Sequence, residues 1–212
     1  MKTDNLVALL AQDLAPVRPL FVLRTLMLGL IGGIAVSAMI MLAWLGPRPD
    51  MHQAAMTAPF WIKFAYTLVL TIVGFRVVER QARAGSKAVA ALWLGVLAVV
   101  AMIGLALVQL VPPDAPRHAL IMGRSANVCA RNIFVLSLPI FLGLLWAMRQ
   151  LAPTRPILAG VCAGLLAGAA GASIYAFHCN ESAAPFVAIW YTLGIAAAGL
   201  LGAATGRWVL RW

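Results

Sequence analysis

Six apolar runs of about twenty residues each constrain this chain more than any other feature. They cover 25–46, 59–78, 88–111, 130–148, 157–176 and 185–206. Crossing the hydrocarbon of a bilayer as an α-helix takes roughly 20 apolar residues, so each run is long enough to span. Gly46-Pro47-Arg48-Pro49, Pro112-Pro113, Pro153, Pro156 and Pro185 mark the joints, where a helix cannot continue. A β-barrel would show short alternating segments instead, and an open sheet would leave backbone groups unpaired in lipid. Of the 212 residues, 63% are hydrophobic and 10% charged. Soluble domains carry about 25% charged residues. The expectation is an all-α, polytopic membrane protein: a bundle of six transmembrane helices in contact with the lipid bilayer, with no large soluble domain and no cofactor.

The formal charge of +10 does not point to direct nucleic-acid binding, because the cations punctuate the ends of the apolar runs instead of forming one block. With the amino end inside, eleven of the 16 Lys and Arg fall on the inner side. The outer side holds Arg48, Lys63, Arg117, Arg124 and Arg131. That bias predicts an N-in/C-in topology. Lys63, at the start of the second run, is expected to snorkel to the outer interface. Asp4 and Asp13 precede the first apolar run and no cleavage site follows it, unlike a signal peptide. The chain divides into a cytoplasmic amphipathic lead-in, 1–24, and a six-helix transmembrane domain, 25–212.

The fifth run carries Gly160, Gly164 and Gly168 at four-residue spacing, and the sixth carries Gly202 among other glycines. Small residues at helical spacing let backbones approach closely. They predict tight packing inside one monomer, with a possible homodimer seam as the alternative.

This topology gathers His52, His118, His178, Cys129, Cys179, Asp50, Asp114 and Glu181 on the outer side. Cys162 lies alone within the fifth run and reads as a small hydrophobe. Three readings of Cys129 and Cys179 stay open: a structural disulfide, free thiols that sense oxidants or thiophilic metals, or boundary residues with no joint role. His178, Cys179 and Glu181 form a compact group of possible metal ligands. No paired C-x-x-C or H-x-x-x-H supports it.

Catalysis finds little support. Gly171-Ala172-Ser173 lacks the second glycine of an intramembrane serine protease motif, and a thiol oxidoreductase would call for C-x-x-C. Every Asp and Glu lies outside or at the edge of an apolar run, whereas transporters and pumps bury ionisable groups. A small transporter or channel for a metal ion or small molecule is the alternative, with the outer His and Cys residues as its capture site. On the inner side, 3–14 reads as a short helix with Leu6, Leu9, Leu10 and Leu14 on one face. Such a stripe lies on a bilayer, packs under a bundle or fills a partner's groove.

At these residues the chain resembles the NrsF family of membrane anti-sigma factors. The resemblance rests on the lead-in through Asp13-Leu14-x-Pro16-Val17-x-Pro19, on six spans in a chain of this length, and on a single cysteine, Cys129, before the fourth span. His178-Cys179-x-Glu181 after the fifth span and Phe186-x-x-x-Trp190-Tyr191-x-x-Gly194 in the sixth complete it. It implies a protein of the bacterial inner membrane, not an enzyme. Such a protein holds an extracytoplasmic-function sigma factor at its cytoplasmic face and releases it when Cys129 and Cys179 sense oxidative or metal stress. Leu6, Leu9, Leu10, Asp13 and Leu14 are then the candidate partner-binding residues.

Overall fold

The computed structural model describes residues 20–82 and 89–211. The described residues form helices and turns, with no strand among them. Six helical stretches are long and apolar enough to cross a membrane: Phe21–Leu45, Ala58–Gln81, Ala90–Leu110, Arg117–Gln150, Pro156–Tyr175 and Ala184–Val209. They correspond one to one with the apolar runs. The first starts at Phe21 instead of 25, because Arg24 is carried inside its opening turn. The lead-in residues Leu6, Leu9, Leu10, Asp13 and Leu14 lie outside the described residues.

In chain order the elements are α1 (Phe21–Ile40), α2 (Met51–Ala55), α3 (Ala58–Gln81), α4 (Val89–Leu110), α5 (Arg117–Met122), α6 (Ala126–Gln150), α7 (Pro156–Tyr175), α8 (Ala184–Phe186) and α9 (Thr192–Val209). Two π-helical turns join this order, Met41–Leu45 after α1 and Val187–Tyr191 between α8 and α9. Pro59, Pro156 and Pro185 each sit in the first turn of a helix, where a missing N–H costs nothing.

Helix α7 is the hub. It packs on α9, α6 and α3, while α1 packs chiefly on α6. Of the most apolar window of α7, 61% is buried, against 17% for α4, which lies on the rim against α3 and α8. The glycines of α7 explain its central place. A side chain on Gly160 would strike the backbone of Gly202, and its Cβ would come 2.9 Å from the Cα of Gly206. One on Gly164 would strike Ala198 backbone, and one on Gly168 would lie 2.8 Å from the Cα of Ile195. The close approach expected of Gly160, Gly164, Gly168 and Gly202 is therefore between α7 and α9 of one chain.

Three buried hydroxyls bond backbone acceptors, as an apolar surrounding favours. Thr25 donates to Phe21 O (2.8 Å) and Ser137 to Phe134 O (2.6 Å), both within their own helix. Ser37 reaches instead from α1 to Leu136 O of α6, 2.7 Å away. Leu136 stands in the turn before Pro139, the one proline inside α6. A helical proline leaves the carbonyl four residues back, here Val135 O, without its donor and crowds the preceding turn, and Ser37 adds a donor at the adjacent carbonyl.

Two apolar clusters fill the bundle. One, around Leu26, Val78, Leu144, Met148 and Leu166, joins α1, α3, α6 and α7 towards the ends carrying most cations. The other, around Ile133, Leu136, Tyr175, Phe186 and Tyr191, surrounds both Cys129 and Cys179 at the opposite end. That end is termed outer, after the charge bias.

Candidate functional site: a buried thiol pair beside a buried lysine

Cys129 stands one turn into α6, its N–H bonded to Ser125 O at 2.9 Å. Cys179 is reached differently. After α7 ends at Tyr175, the N–H groups of His178 and Cys179 both return to Tyr175 O, each at 3.0 Å. This tight closure folds Cys179 back under the helix end. Phe177 anchors the same loop to α3, its ring edge-on to Phe64 (5.3 Å) and Phe60 (6.0 Å). Both cysteines carry free thiols, and both are buried, at 0% and 3% exposure. The two lie in one buried cluster, close enough for each thiol to act on the other's ionisation.

Lys63 completes the pair. It lies in the second turn of α3 and is 1% exposed. Its Nζ donates to Cys179 O (2.8 Å) and Glu181 O (2.9 Å), and stands about 6 Å from the rings of Phe60 (5.9 Å) and Tyr191 (6.0 Å). The expected snorkelling to the interface is corrected: the apolar stem and the ammonium are both enclosed, because the carbonyls of the 179–181 loop offer the acceptors that water would otherwise supply. Among the described residues no carboxylate lies within ion-pair distance of Lys63.

A second cation approaches from the other side. Arg48, 7% exposed, grips Asp50 with two bonds (Nε to Oδ1 2.8 Å, Nη2 to Oδ2 2.7 Å) and extends Nη1 to Cys179 O at 3.4 Å. The Asp50 carboxylate raises the Arg48 pKa, and the guanidinium in turn holds Asp50 below the ordinary carboxylate range. The Cys179 thiol is pulled below its ordinary range, first by the bond from the Cys129 thiol and then by the Lys63 charge, against the opposing effect of burial. Protonated, its Sγ points to Glu181 O, 3.8 Å away. The hydroxyls of Tyr175 and Tyr191, rings 6.0 Å apart, close the site from α7 and the second π turn.

The possible metal ligands do not converge. His178 Nδ1 is bonded to Gly46 O (2.8 Å), and Glu181 Oε1 accepts the N–H of Arg124 (2.8 Å). Among the described residues no group of three His, Cys, Asp or Glu side chains is placed to hold a metal ion. His178, Cys179 and Glu181 instead fasten one loop to the 46–50 loop, to α3 and to the turn at Arg124. Gly46 can serve because it turns at φ +72°, closing the π turn with its N–H on Met41 O (2.9 Å).

The sequence reading brought Cys129 and Cys179 to one side, and the structure puts them in one cluster. It missed Lys63, Arg48, Tyr175 and Tyr191 as members. The available signal was a lysine inside an apolar run, Trp61-Ile62-Lys63-Phe64, since an ionisable residue at such a depth marks a site by default.

The family described as "Negative regulator of sigma F" matches residues 10–212 of the chain. The chain is 40% identical over 220 residues to the "Anti-sigma-F factor NrsF" of Caulobacter vibrioides (strain NA1000 / CB15N), covering all of both chains. It is 37% identical over 215 residues to the "Probable anti-sigma-F factor NrsF" of Azospira oryzae (strain ATCC BAA-33 / DSM 13638 / PS), again over the full length of both. No solved structure matches it.

Proposed function

The chain belongs to the NrsF family, negative regulators of sigma F, and from that premise we propose that it is a membrane-embedded anti-sigma factor with a regulatory, non-catalytic role. Full-length likeness to two proteins named as anti-sigma-F factors is the observation that carries this reading. The partner is an extracytoplasmic-function sigma factor. It is held at the cytoplasmic face of the bacterial inner membrane by the lead-in 1–24, with Leu6, Leu9, Leu10, Asp13 and Leu14 as the contact stripe, attached to the six-helix domain 25–212.

The signal is oxidative stress read by Cys129 and Cys179 on the periplasmic side. The geometry supports this in two ways. The thiols share one buried cluster and act on one another's ionisation, so they are placed to react together. The loop that carries Cys179 is also bonded to Gly46 and Arg48, just beyond α1, and α1 continues from there to the lead-in. Helix α1 lies close against α6: a Cβ on Gly33 would meet the Cα of Ile140, and one on Gly29 would strike the backbone of Gly143. Two helices in backbone contact shift as rigid bodies, so a change at the thiol loop moves the inner end of α1. An oxidised pair would have to prefer the shifted packing, since only differential affinity moves such an equilibrium. Metal sensing is less well supported, because His178 and Glu181 face other partners.

Tagged full-length protein, solubilised in mild detergent, is expected to co-purify with a sigma factor of the same cell and to release it on oxidation. A Cys129→Ser, Cys179→Ser variant should retain the partner under oxidant. Full-length protein that never retains the sigma factor would end this reading.

A further inference from the structure

We propose that Lys63 is the counter-ion that makes Cys179 the reacting sulfur of the pair, with Cys129 as its resolving partner. The proposal deepens the thiol-sensing reading and rests on it. The geometry is asymmetric in three respects. Lys63 is enclosed without a carboxylate, and a buried ammonium needs an anion or a dense set of acceptors near it. Its Nζ is fixed on the carbonyl of Cys179 itself, whereas no bond ties it to Cys129. Arg48 adds a second positive group at that same carbonyl. The groups facing Cys179 are Lys63 from α3, Cys129 from α6, Tyr175 from α7, Tyr191 from the second π turn and Arg48 from beyond α1. The carboxylates nearby are Asp50, paired with Arg48, and Glu181, which accepts the Arg124 N–H, so among the described residues Lys63 is the cation of the site with no carboxylate within ion-pair distance. Lys63 favours a negative sulfur by charge, and the Cys129 thiol and Tyr191 hydroxyl favour it by hydrogen bonding.

The reagent is a small hydroperoxide. The Cys179 thiolate attacks one peroxide oxygen, so that an S–O bond forms and the O–O bond breaks. The alcohol or water that leaves takes a proton from solvent. Cys129 then attacks the sulfenic sulfur, forming the S–S bond and expelling water that carries the Cys129 proton. Two thiols are oxidised by two electrons and one peroxide is reduced. Burial selects the reagent by size. A cavity of about 60 Å³, lined by Lys63, Gln109 and Ser182 among others, lies on the Lys63 side of the site, and neither cysteine lines it.

Full-length protein with Cys162→Ser, in detergent, would be treated with hydrogen peroxide and dimedone and read by mass spectrometry. With Cys129→Ser added, the sulfenic acid should be trapped at Cys179. With Cys179→Ser added, Cys129 should stay unmodified on the same timescale. Lys63→Gln keeps donors for the two carbonyls and removes the charge. It should slow the reaction about tenfold at pH 7 and move the midpoint of its pH profile upward by more than one unit. Lys63→Arg should restore much of the rate. Cys129 reacting as fast as Cys179 would overturn the assignment without any lysine variant, and so would an unchanged rate and profile in Lys63→Gln. If the thiols react in this order but the oxidised protein keeps its sigma factor, the proposed function fails and the assignment of roles stands. Release at the wild-type rate in Lys63→Gln would do the reverse.

Discussion

Arg48 reaches across 131 positions of chain to bring its guanidinium within 3.4 Å of the Cys179 carbonyl oxygen. The same residue's N–H is bonded to Phe177 O at 3.0 Å. One arginine thus fastens the end of α1 to the loop that carries Cys179, by side chain and by backbone. A substitution other than proline removes only its side-chain bonds.

Arg48→Met is therefore expected to loosen the coupling without unfolding the bundle. It should give partial release of the partner in the absence of oxidant, together with faster hydrogen exchange over 46–57. The Arg48–Asp50 pair also fixes a pH dependence. Asp50 has its pKa lowered in the folded state, so its contribution is present above the unfolded value of about 3.9 and is lost as pH falls through the lower folded one. Exchange in this segment should be flat from about pH 5 to pH 8, once corrected for the intrinsic rate, and should rise only below about pH 4. A rise near neutrality would show that some other group holds the latch.

Helix α7 meets α9 through glycine on both sides, and that contact predicts a sharp contrast between two substitutions. A side chain on Gly202 would strike the Gly160 backbone, while one on Gly32 meets nothing within 4 Å. Gly202→Val should lower stability by at least the roughly 1–3 kcal/mol typical of overpacking, since backbone cannot rotate away. Gly32→Ala should be neutral or slightly stabilising, by about 0.5–1 kcal/mol. Thermal unfolding of both variants in one detergent is the measurement. Equal effects would mean that α7 and α9 do not meet as described.

The apolar runs made the helices readable, because length and polarity alone decide what can satisfy its backbone in lipid. The spacing of Gly160, Gly164 and Gly168 gave their close approach, but not the partner helix, which depends on tertiary placement. The role of Lys63 was hidden for the opposite reason. A lysine near a helix end ordinarily snorkels, and only the folded loop at 179–181 supplies carbonyls that hold it inside. Arg48, between two prolines, read as a joint. Its function depends on residues 131 positions away. The π turn at Val187–Tyr191, which sets Tyr191 beside the thiols, has no periodic signature in a uniformly apolar stretch.

Ser37 and Pro139 should be coupled energetically. The hydroxyl of Ser37 serves Leu136 O at 2.7 Å, in the turn that Pro139 disturbs. Ser37→Ala should cost about 1 kcal/mol, the ordinary net value of a buried hydrogen bond. Pro139→Ala returns a donor to Val135 O and removes the ring that crowds this turn, so Leu136 O can close fully on its own donor, the Ile140 N–H, and the Ser37→Ala penalty should shrink. A double-mutant cycle on unfolding free energy should therefore show a coupling of at least 0.5 kcal/mol. Strict additivity would separate the two residues.

Gly123 closes α5 at φ +50°, a conformation that L side chains rarely adopt, and a Cβ there would lie 2.7 Å from the Glu181 carboxyl carbon. Gly123→Ala thus meets both backbone strain and a collision with the loop that carries Cys179. The carboxylate would have to leave the Arg124 N–H, which it now accepts at 2.8 Å. Loss of that bond frees the 179–181 segment on one side, while Lys63 and Arg48 still hold it on the other. The expected result is local opening without collapse. Cys179 should become several-fold more reactive towards a bulky maleimide, with the unfolding midpoint lowered only slightly. Glu181→Gln, which keeps an acceptor for Arg124 and removes the charge, should leave maleimide labelling near the wild-type rate. If Gly123→Ala left labelling unchanged, the Glu181 contact would not be what seals the thiol pair from above.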